Sequence, residues 1–454
     1  MTCRLIPSPI SRLSHYRKPS YAAPDSMQIF LRWLREAGAH FSLLGIQSPR
    51  GGLRGVQARA PIRQGEVVLR APLRCILTAD TVQESEIARR MADSGVQLVN
   101  QQSKFAVFLL WEMRNPDSWW KPYIDILPAS FADVPLFFNA NELAWLNGSS
   151  SLELIRQTRQ CLLEDYTRLR NSIRGFDSFS YDEFQWARVA VATRIFAFEI
   201  DGRQTQGMVP FADLLNHRKP AQVDYAFNND ARCFQMRSLT ALRAGEAVHD
   251  SYGRKCNSRY FVNYGFAMLE NQANEAVISI PTPGIHHPYQ ALLARVAEAA
   301  DSSTCNFRVS TDIESARRLL SFLRILSADG SLSGTPRPVV AHDVCISPIN
   351  RRNETSALDA LADACVRTLR TFNTSVAEDE ALLQTSHLST NHRHAVMMRR
   401  GEKKVLHHYT RMAQVCSPFI QHPKMARGAM VRTLPPAAVP FAPYLKRVHA
   451  ALPD

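Results

Sequence analysis

The chain has 454 residues, of which 45% are hydrophobic and 21% charged, so length and composition predict a globular protein of two or three domains. No apolar run approaches the roughly 18 residues that a membrane span needs, and we expect a soluble protein. The nine cysteines are scattered without C-x-x-C pairs, which favours reduced thiols in an intracellular compartment and implies no metal site. The formal net charge of +13 is spread along the chain without a recognisable nucleic-acid motif, so we do not expect direct nucleic-acid binding.

The first 26 residues form a separate segment with no acidic residue before Asp25. Its basic residues are Arg4, Arg12, Arg17 and Lys18. This composition is typical of a mitochondrial transit peptide, but Pro7 and Pro9 would interrupt an amphipathic helix. A basic N-terminal tail and a transit peptide both remain open, and so do a mitochondrial and a cytoplasmic location.

Two similar turns precede predicted strands on either side of a long helical stretch. The first turn covers residues 62–66, and its Gly65 leads into a strand over 66–72. The second covers 242–246, and its Gly245 leads into a strand near Val248. Because the same turn chemistry occurs twice, we expect one β-fold that is split by an insertion.

The intervening segment, about 80–181, shows helical periodicity over 103–113 and 152–173. An aromatic loop is predicted over 119–128. Strands resume at 222–227 and 232–236 and are joined by a turn at 228–230. Helices are predicted again over 289–300, 314–326, 353–372 and 377–383, with a loop over 329–348. Prolines are frequent from Ser417 onward, so we expect residues 417–454 to form a loosely packed tail.

Polar residues interrupt apolar surroundings between Met208 and Asn274. One group is Asp213-Leu-Leu-Asn216-His217, and the other is Ser251-Tyr252-Gly253, followed by Asn257 and by Tyr264-Gly-Phe266. An unpaired buried polar group costs roughly 1–3 kcal/mol. We therefore expect these side chains to be used for hydrogen bonding or for function.

These motifs resemble the SET-domain methyltransferases, and specifically the branch of the plant Rubisco large-subunit lysine methyltransferase. Similarity extends from about Phe30 to Ala413 and includes residues 186–196, Arg324 and residues 399–403. The resemblance implies an α+β fold: a SET domain of short sheets over 27–280, interrupted by the helical insertion, and an all-α substrate-binding domain over 285–416. It also implies S-adenosyl-L-methionine as cofactor and a protein substrate docked by the helical domain.

The resemblance assigns two tyrosines to catalysis. Tyr252 matches the SET tyrosine whose hydroxyl lies beside the attacking nitrogen, and Tyr264 would line the same lysine channel. A core tyrosine bonded to a backbone carbonyl and an ordinary packed aromatic are the competing interpretations of these two residues.

The resemblance also implies a set of cofactor-binding residues. Asn216 and His217 match the pair that wraps the cofactor, and Arg194 matches the arginine that meets its carboxylate, for which a guanidinium fork is well suited. Phe266 would pack on the adenine. Asp213 is interpreted as a helix N-cap in preference to a direct ligand. The remaining members are Tyr252 and the N-terminal glycine-rich stretch, Leu53, Arg54 and Gly55.

Two positions bear on the substrate residue. The actin-histidine branch of the superfamily has Asn where this chain has Phe196 and Trp where it has Ala212, so the pattern resembles the lysine-directed enzymes. The favoured hypothesis is an S-adenosylmethionine-dependent lysine methyltransferase for a non-histone protein, since cysteine-rich zinc modules are absent from the sequence. The alternatives are a catalytically silent SET scaffold, a basic RNA- or ribosome-associated protein and a protein-histidine methyltransferase.

Overall fold

A computed structural model describes residues 25–47, 54–282, 289–297, 303–328, 346–422 and 434–452. The expected N-terminal tail before Asp25, the expected cofactor residue Leu53 and most of the expected loop over 329–348 lie outside these ranges. The chain divides into two compact units, which are described separately: a first unit of Met1–Phe137 and Arg156–Arg254, and a second unit of Phe138–Ile155 and Lys255–Asp454.

The helices of the described residues alternate with short strands in an α+β arrangement, as expected. In chain order the α-helices are α1 Ser26–Glu36, α2 Ala79–Gln83, α3 Glu86–Asp93, α4 Gln102–Arg114, α5 Lys121–Ile126, α6 Ala140–Ala144, α7 Ser151–Ser172, α8 Tyr181–Ala192, α9 Asn257–Tyr264, α10 Gln290–Ala297, α11 Arg317–Leu326, α12 Arg351–Leu369, α13 Val376–Gln384, α14 Thr390–Gln421 and α15 Ala442–Ala451. Of these helices, none is long and apolar enough to cross a membrane.

The strands form short sheets within each unit. They are β1 Leu44–Gln47, β2 Gly55–Ala58, β3 Val67–Pro72, β4 Leu77–Thr78, β5 Ile195–Ile200, β6 Arg203–Met208, β7 Asn216–His217, β8 Val223–Asn228, β9 Cys233–Ser238, β10 Ala247–Asp250, β11 Glu275–Pro281 and β12 Thr304–Ser310. The sheets of the first unit have the strand orders β1-β2-β10-β7, β3-β9-β8 and β4-β6-β5, and the second unit has the β11-β12 pair.

The two predicted turns are confirmed and lie against each other in the first unit. Gly65 and Gly245 have φ angles of 81° and 83°, which favour glycine. In each turn a backbone N–H bonds a glutamate carboxylate three residues later, at 2.8 Å for Glu66 and 3.1 Å for Glu246. A β-bridge joins Ile62 to Leu242. The repeated turn thus joins the two halves of a β-fold that the helical insertion separates in sequence.

The insertion differs from its prediction in the aromatic segment. Residues 121–126 form helix α5, with Pro122 in its first turn, where the missing N–H of proline costs nothing. Its Tyr123 is fully buried. The start of α4 is held by the buried Asp165, which accepts backbone N–H bonds from Val99 at 2.6 Å and Asn100 at 3.2 Å.

The second unit has its own hydrophobic core, formed by the β11-β12 pair and helices α10, α11, α12, α14 and α15. The expectation of a loosely packed C-terminal tail is wrong for residues 417–422 and 434–452. Helix α14 continues through Pro418 to Gln421, and α15 buries Tyr444, Leu445 and Val448. This segment is held in place by a long-range hydrogen bond, which the Tyr444 hydroxyl donates to the buried Glu354 at 2.6 Å.

Candidate active site

The sheet order of the first unit brings two distant parts of the sequence together. Strand β10 pairs in antiparallel fashion with β2 and in parallel fashion with β7. In the parallel pair His249 lies opposite Asn216, and Asp250 lies opposite His217. The chain that leaves β10 toward Tyr252 therefore runs beside the Asn216-His217 strand.

Asn216 is held against the glycine-rich stretch. Its side-chain amide donates to the Arg54 carbonyl oxygen at 3.1 Å. A Cβ atom on Gly55 would lie 2.8 Å from the Asn216 Nδ2 atom, closer than van der Waals contact allows. Gly55 is therefore required for the close approach of β2 to this side chain.

His217 connects the same strand to Tyr252. Its Nδ1 atom accepts the Tyr252 backbone N–H at 3.0 Å, so the proton of the neutral ring is carried by Nε2. The centroids of the two rings lie 5.2 Å apart. This contact fixes the backbone of Tyr252 relative to β7.

The Tyr252 hydroxyl donates to the Leu215 carbonyl oxygen at 2.9 Å, and the side chain is half-buried. This bond is the one named in the competing core interpretation. Because a hydroxyl that donates one bond still offers acceptor lone pairs, the same bond would also orient the oxygen toward a ligand. The described geometry is thus compatible with both interpretations.

A buried charge cluster lies behind this strand. The Asp213 carboxylate accepts from the Tyr123 hydroxyl at 2.8 Å, and its Oδ2 atom lies 3.8 Å from the Arg194 Nε atom. Burial raises the pKa of Asp213, which Arg194 and Arg54 counteract. Burial also lowers the pKa of the Arg54 guanidinium.

The interpretation of Asp213 as a helix N-cap is wrong. Phe211 occupies the N-cap position of the 3₁₀ turn Ala212–Leu214, and Asp213 lies inside that turn with its side chain directed to Tyr123. Tyr123, which no sequence pattern singled out, is a central member of the cluster because the fold returns it to a residue 90 positions away.

Arg194 is held loosely enough to serve a ligand. Its Nη1 atom donates to the Asp213 carbonyl oxygen at 3.3 Å, and the side chain is 13% exposed. Among the described residues, no hydrogen-bond partner reaches its Nε atom. The guanidinium therefore keeps donors for a carboxylate, the group for which its planar fork is best suited.

The two remaining predicted site residues lie in the second unit. Helix α9 ends at Tyr264, and Gly265 follows in a left-handed conformation with φ of 81°. The Phe266 ring stacks on the buried Tyr260 with centroids 5.1 Å apart, and its centroid lies 6.2 Å from that of Tyr264. Both predicted aromatics are half-buried.

The asparagines around α9 have a structural role. Asn257 donates to the Met268 carbonyl oxygen at 2.8 Å and accepts the Met268 N–H at 3.1 Å. Asn271 donates to the Asn257 side chain at 3.0 Å, and Asn274 accepts the Asn257 backbone N–H at 3.1 Å. This closed set of bonds fixes the loop that carries Phe266. Among the described residues, no group of three His, Cys, Asp or Glu side chains is placed to hold a metal ion.

Comparison with known proteins agrees with this fold. Residues 289–406 match the family model described as Rubisco LSMT substrate-binding. The structure of the LSMT SET domain bound to lysine and AdoHcy covers 93% of this chain and 99% of its own, with a TM-score of 0.74 and 22% identity. Rubisco LSMT bound to AdoMet gives a TM-score of 0.70 at 23% identity, with 87% of this chain and 93% of that one covered.

Two curated relatives differ in the residue that their names specify. The Arabidopsis thaliana chloroplastic [fructose-bisphosphate aldolase]-lysine N-methyltransferase is 28% identical over 406 residues, which cover 84% of this chain and 82% of the relative. The Homo sapiens actin-histidine N-methyltransferase is 25% identical over 420 residues, covering 86% and 69%. Similarity of sequence alone thus leaves both lysine and histidine open as the residue modified.

Proposed function

We propose that the chain is an S-adenosylmethionine-dependent SET-domain methyltransferase of the Rubisco large-subunit methyltransferase-like branch. In this proposal it methylates the side-chain amine of a lysine in a non-histone protein. Bound S-adenosylmethionine supplies an electrophilic methyl group on a sulfonium. The protein has to hold the acceptor amine neutral and aligned and to exclude water. Two relatives of the chain are named as methyltransferases of aldolase and of the Rubisco large subunit, and both substrates are non-histone proteins.

We propose that the first unit holds most of the cofactor contacts. We assign the backbone of Arg54 and Gly55, the side chains of Asn216 and His217, and Arg194 to its binding. The observation that supports this assignment is the narrow cradle at Gly55, where a Cβ would collide with Asn216. The partly exposed guanidinium of Arg194 would supply donors for the cofactor carboxylate.

Asp213 acts indirectly in this proposal. It is buried beneath Arg194, accepts from Tyr123 and positions the guanidinium without reaching a ligand itself. Phe266, whose ring stacks on Tyr260, is proposed to pack on the adenine. Leu53 retains its proposed backbone role in the glycine-rich stretch.

Tyr252 and Tyr264 are proposed to serve the acceptor. The Tyr252 hydroxyl, oriented by the Leu215 carbonyl oxygen, offers a lone pair to the attacking amine. A lysine has a pKa of about 10.4 in water, and desolvation in a channel lowers it, which favours the neutral nucleophile. The aromatic ring of Tyr264 would line that channel.

Lysine is preferred to histidine because of two residues in the first unit. The Phe196 ring packs edge-on against Tyr225 and Phe234, with centroid distances of 5.2 and 5.6 Å. Ala212 is buried and small. Neither residue offers a hydrogen bond to an imidazole, whereas an apolar wall suits the methylene chain of lysine.

The decisive experiment combines binding with identification of the modified residue. Calorimetric titration with S-adenosylhomocysteine should show micromolar binding to the wild type and none to Asn216→Ala. Labelled methyl transfer to a protein extract, followed by mass spectrometry, should then show methyllysine on a non-histone protein. Methylhistidine as the product would reject lysine specificity, and absent binding to the wild type would reject the enzymatic function.

A further inference from the structure

The second unit contains a cavity of about 440 Å³ that the proposed catalytic function does not use. The loop at Gly148, Ser149 and Ser150 forms one wall, and the end of α12 with Phe372 forms another. Strands β11 and β12 and the face of α14 at Glu402 complete the lining. The volume is in the range of small-molecule sites and would accommodate a long side chain with part of its backbone.

The loop wall is rigidly placed. Gly148 has a φ of 84°, and a Cβ there would lie 2.6 Å from the Thr371 carbonyl oxygen and from the Phe372 nitrogen. The Thr371 hydroxyl also donates to the Gly148 carbonyl oxygen at 3.2 Å. This close packing holds the serines of the loop at the edge of the cavity.

Glu402 is the only acidic residue among the described residues that line this cavity, and it is 4% exposed. Its Oε1 atom accepts from the Ser150 hydroxyl at 2.9 Å. Among the described residues, none makes a hydrogen bond of normal geometry to its Oε2 atom, although the Ser149 hydroxyl lies close enough to act on the carboxylate. A buried carboxylate oxygen without a donor is costly, so this oxygen would be stabilised by a donor that arrives from outside the fold.

The nearby cations do not satisfy this oxygen. Lys403 is engaged by Asp379 at 2.5 Å, and Arg308 is paired with Glu275 at 3.6 Å. Arg367, which lines the cavity, is exposed. Burial raises the pKa of Glu402 to about 7, against the side-chain hydrogen bonds of Ser149 and Ser150 and the charges of Arg308 and Lys403. A cationic ligand would both bond the oxygen and compensate the buried charge.

We infer that this cavity binds an alkylammonium or guanidinium group, with Glu402 as its acceptor. The group belongs either to a lysine or arginine side chain of a protein segment or to a free small amine. A protein source would make the cavity a second contact for the substrate, separate from the residue that is methylated. The inference stands without methyl transfer, because binding is measured with no methyl donor present.

The test uses the full chain and ligand-observed NMR with n-butylammonium, n-butylguanidinium and neutral n-butanol as probes. The wild type should bind the cations in preference to n-butanol. Because Glu402 ionises near neutrality, their affinity should rise about tenfold between pH 6 and pH 8, while the ammonium stays charged. Equal affinity for the cations and n-butanol, or a flat pH profile, would overturn the inference even without any variant.

A pair of variants localises the site. Glu402→Gln keeps the shape of the side chain and its hydrogen bond with Ser150. At pH 8 it should lower the affinity for the cationic probes at least tenfold. Glu380→Gln makes the same charge change at a partly exposed glutamate of the same unit, which pairs with Arg400 at 2.9 Å, and should leave the affinity unchanged. Cation binding that persists in Glu402→Gln would place the ligand elsewhere, for example in the lysine channel, and reject this cavity.

Binding of a blocked Gly-Gly-Lys-Gly-Gly peptide, compared with the same peptide carrying Gln in place of Lys, shows whether the cation comes from a protein segment or from a free amine. Binding of the lysine peptide at least as tight as that of n-butylammonium, and lost in Glu402→Gln, identifies a protein segment as the ligand. Binding of the free amines alone, lost in the same variant, identifies a small amine. Both results support the cationic site.

Discussion

The Asn216 side chain donates a hydrogen bond to the carbonyl oxygen of Arg54 at 3.1 Å, although the two residues are 162 positions apart. The bond is possible because Gly55 has no Cβ atom that would collide with the Asn216 side chain. A single missing Cβ thus determines whether the proposed cofactor cradle can form.

Gly55→Ala should weaken S-adenosylhomocysteine binding by at least tenfold. The new Cβ would meet Asn216 Nδ2 at 2.8 Å, and relieving such a contact costs about 1–3 kcal/mol. Calorimetric titration measures the effect. Gly45→Ala on the neighbouring strand is the control, because its Cβ would meet the Arg59 side chain, which is exposed and can move away. Equal affinity in Gly55→Ala and the wild type would argue against the cradle.

Tyr252→Phe should lower the methyl-transfer rate about 100-fold or more and leave S-adenosylhomocysteine affinity within a few-fold. The ring still packs near His217, while the hydroxyl that would orient the amine is lost. Single-turnover assays and calorimetry separate the two effects.

Tyr166→Phe is the matched control for that experiment. It removes the same kind of bond, from a tyrosine hydroxyl to a backbone carbonyl oxygen at 2.8 Å, at a distant site on α7. We expect normal turnover in this variant. If Tyr252→Phe retained full activity, the interpretation of Tyr252 as a core tyrosine would be preferred.

Tyr123→Phe should reduce the free energy of unfolding by about 1–3 kcal/mol, because the buried Asp213 carboxylate would lose a donor at 2.8 Å. Urea denaturation measures the change. Tyr181→Phe is the control, since its hydroxyl makes only a long contact of 3.5 Å with the Arg159 carbonyl oxygen and should cost much less. Identical losses in the two variants would show that the Asp213 bond contributes nothing specific.

Glu402→Gln should stabilise the protein at pH 8 and have little effect near pH 5. The pKa of Glu402 is raised from 4.5 to about 7 in the folded state, so the folded protein holds a proton that the unfolded chain releases. The contribution of Glu402 to stability is therefore greatest below pH 4.5 and is lost as the pH rises through 7, by an upper limit of about 3 kcal/mol. Glu402→Gln does not lose this stability, because an amide does not ionise.

Urea denaturation of the wild type and Glu402→Gln at both pH values measures that difference. Glu380→Gln, whose carboxylate is half-exposed at 48%, should show no comparable pH dependence. A stability gain from Glu402→Gln that is equal at both pH values would indicate a packing effect and not a titration.

Local chemistry explains which parts of the fold were predictable. Gly65 and Gly245 identify their turns because each needs a positive φ, and residues 228–230 indicate the connection between β8 and β9. Helices such as α4, α7 and α12 follow from apolar periodicity over many residues. These signals depend on neighbours within a few positions, which a sequence shows directly.

Contacts between distant residues explain what was missed. Nothing near Tyr123 indicates that its hydroxyl bonds Asp213, and nothing near Tyr444 indicates that it bonds Glu354. The prolines after Ser417 indicate a loosely packed end when only neighbouring residues are considered. The buried acceptor that holds this segment, Glu354, lies 90 positions before Tyr444. The proximity of Asn216, His217 and Tyr252 could be expected only from the family resemblance, since the parallel pairing of β7 with β10 leaves no local pattern.

The parallel pairing of β7 with β10, next to β2, has a consequence for how the molecule assembles. Strand β2, residues 55–58, must pair with residues 247–248 and contact Asn216, although a helical insertion separates them in sequence. Contacts between residues so far apart in sequence form slowly during folding. The proposed cofactor cradle therefore exists only after these distant segments have come together. S-adenosylhomocysteine binding would then report on the late steps of refolding. After dilution from urea, binding should recover more slowly than the helical circular dichroism signal.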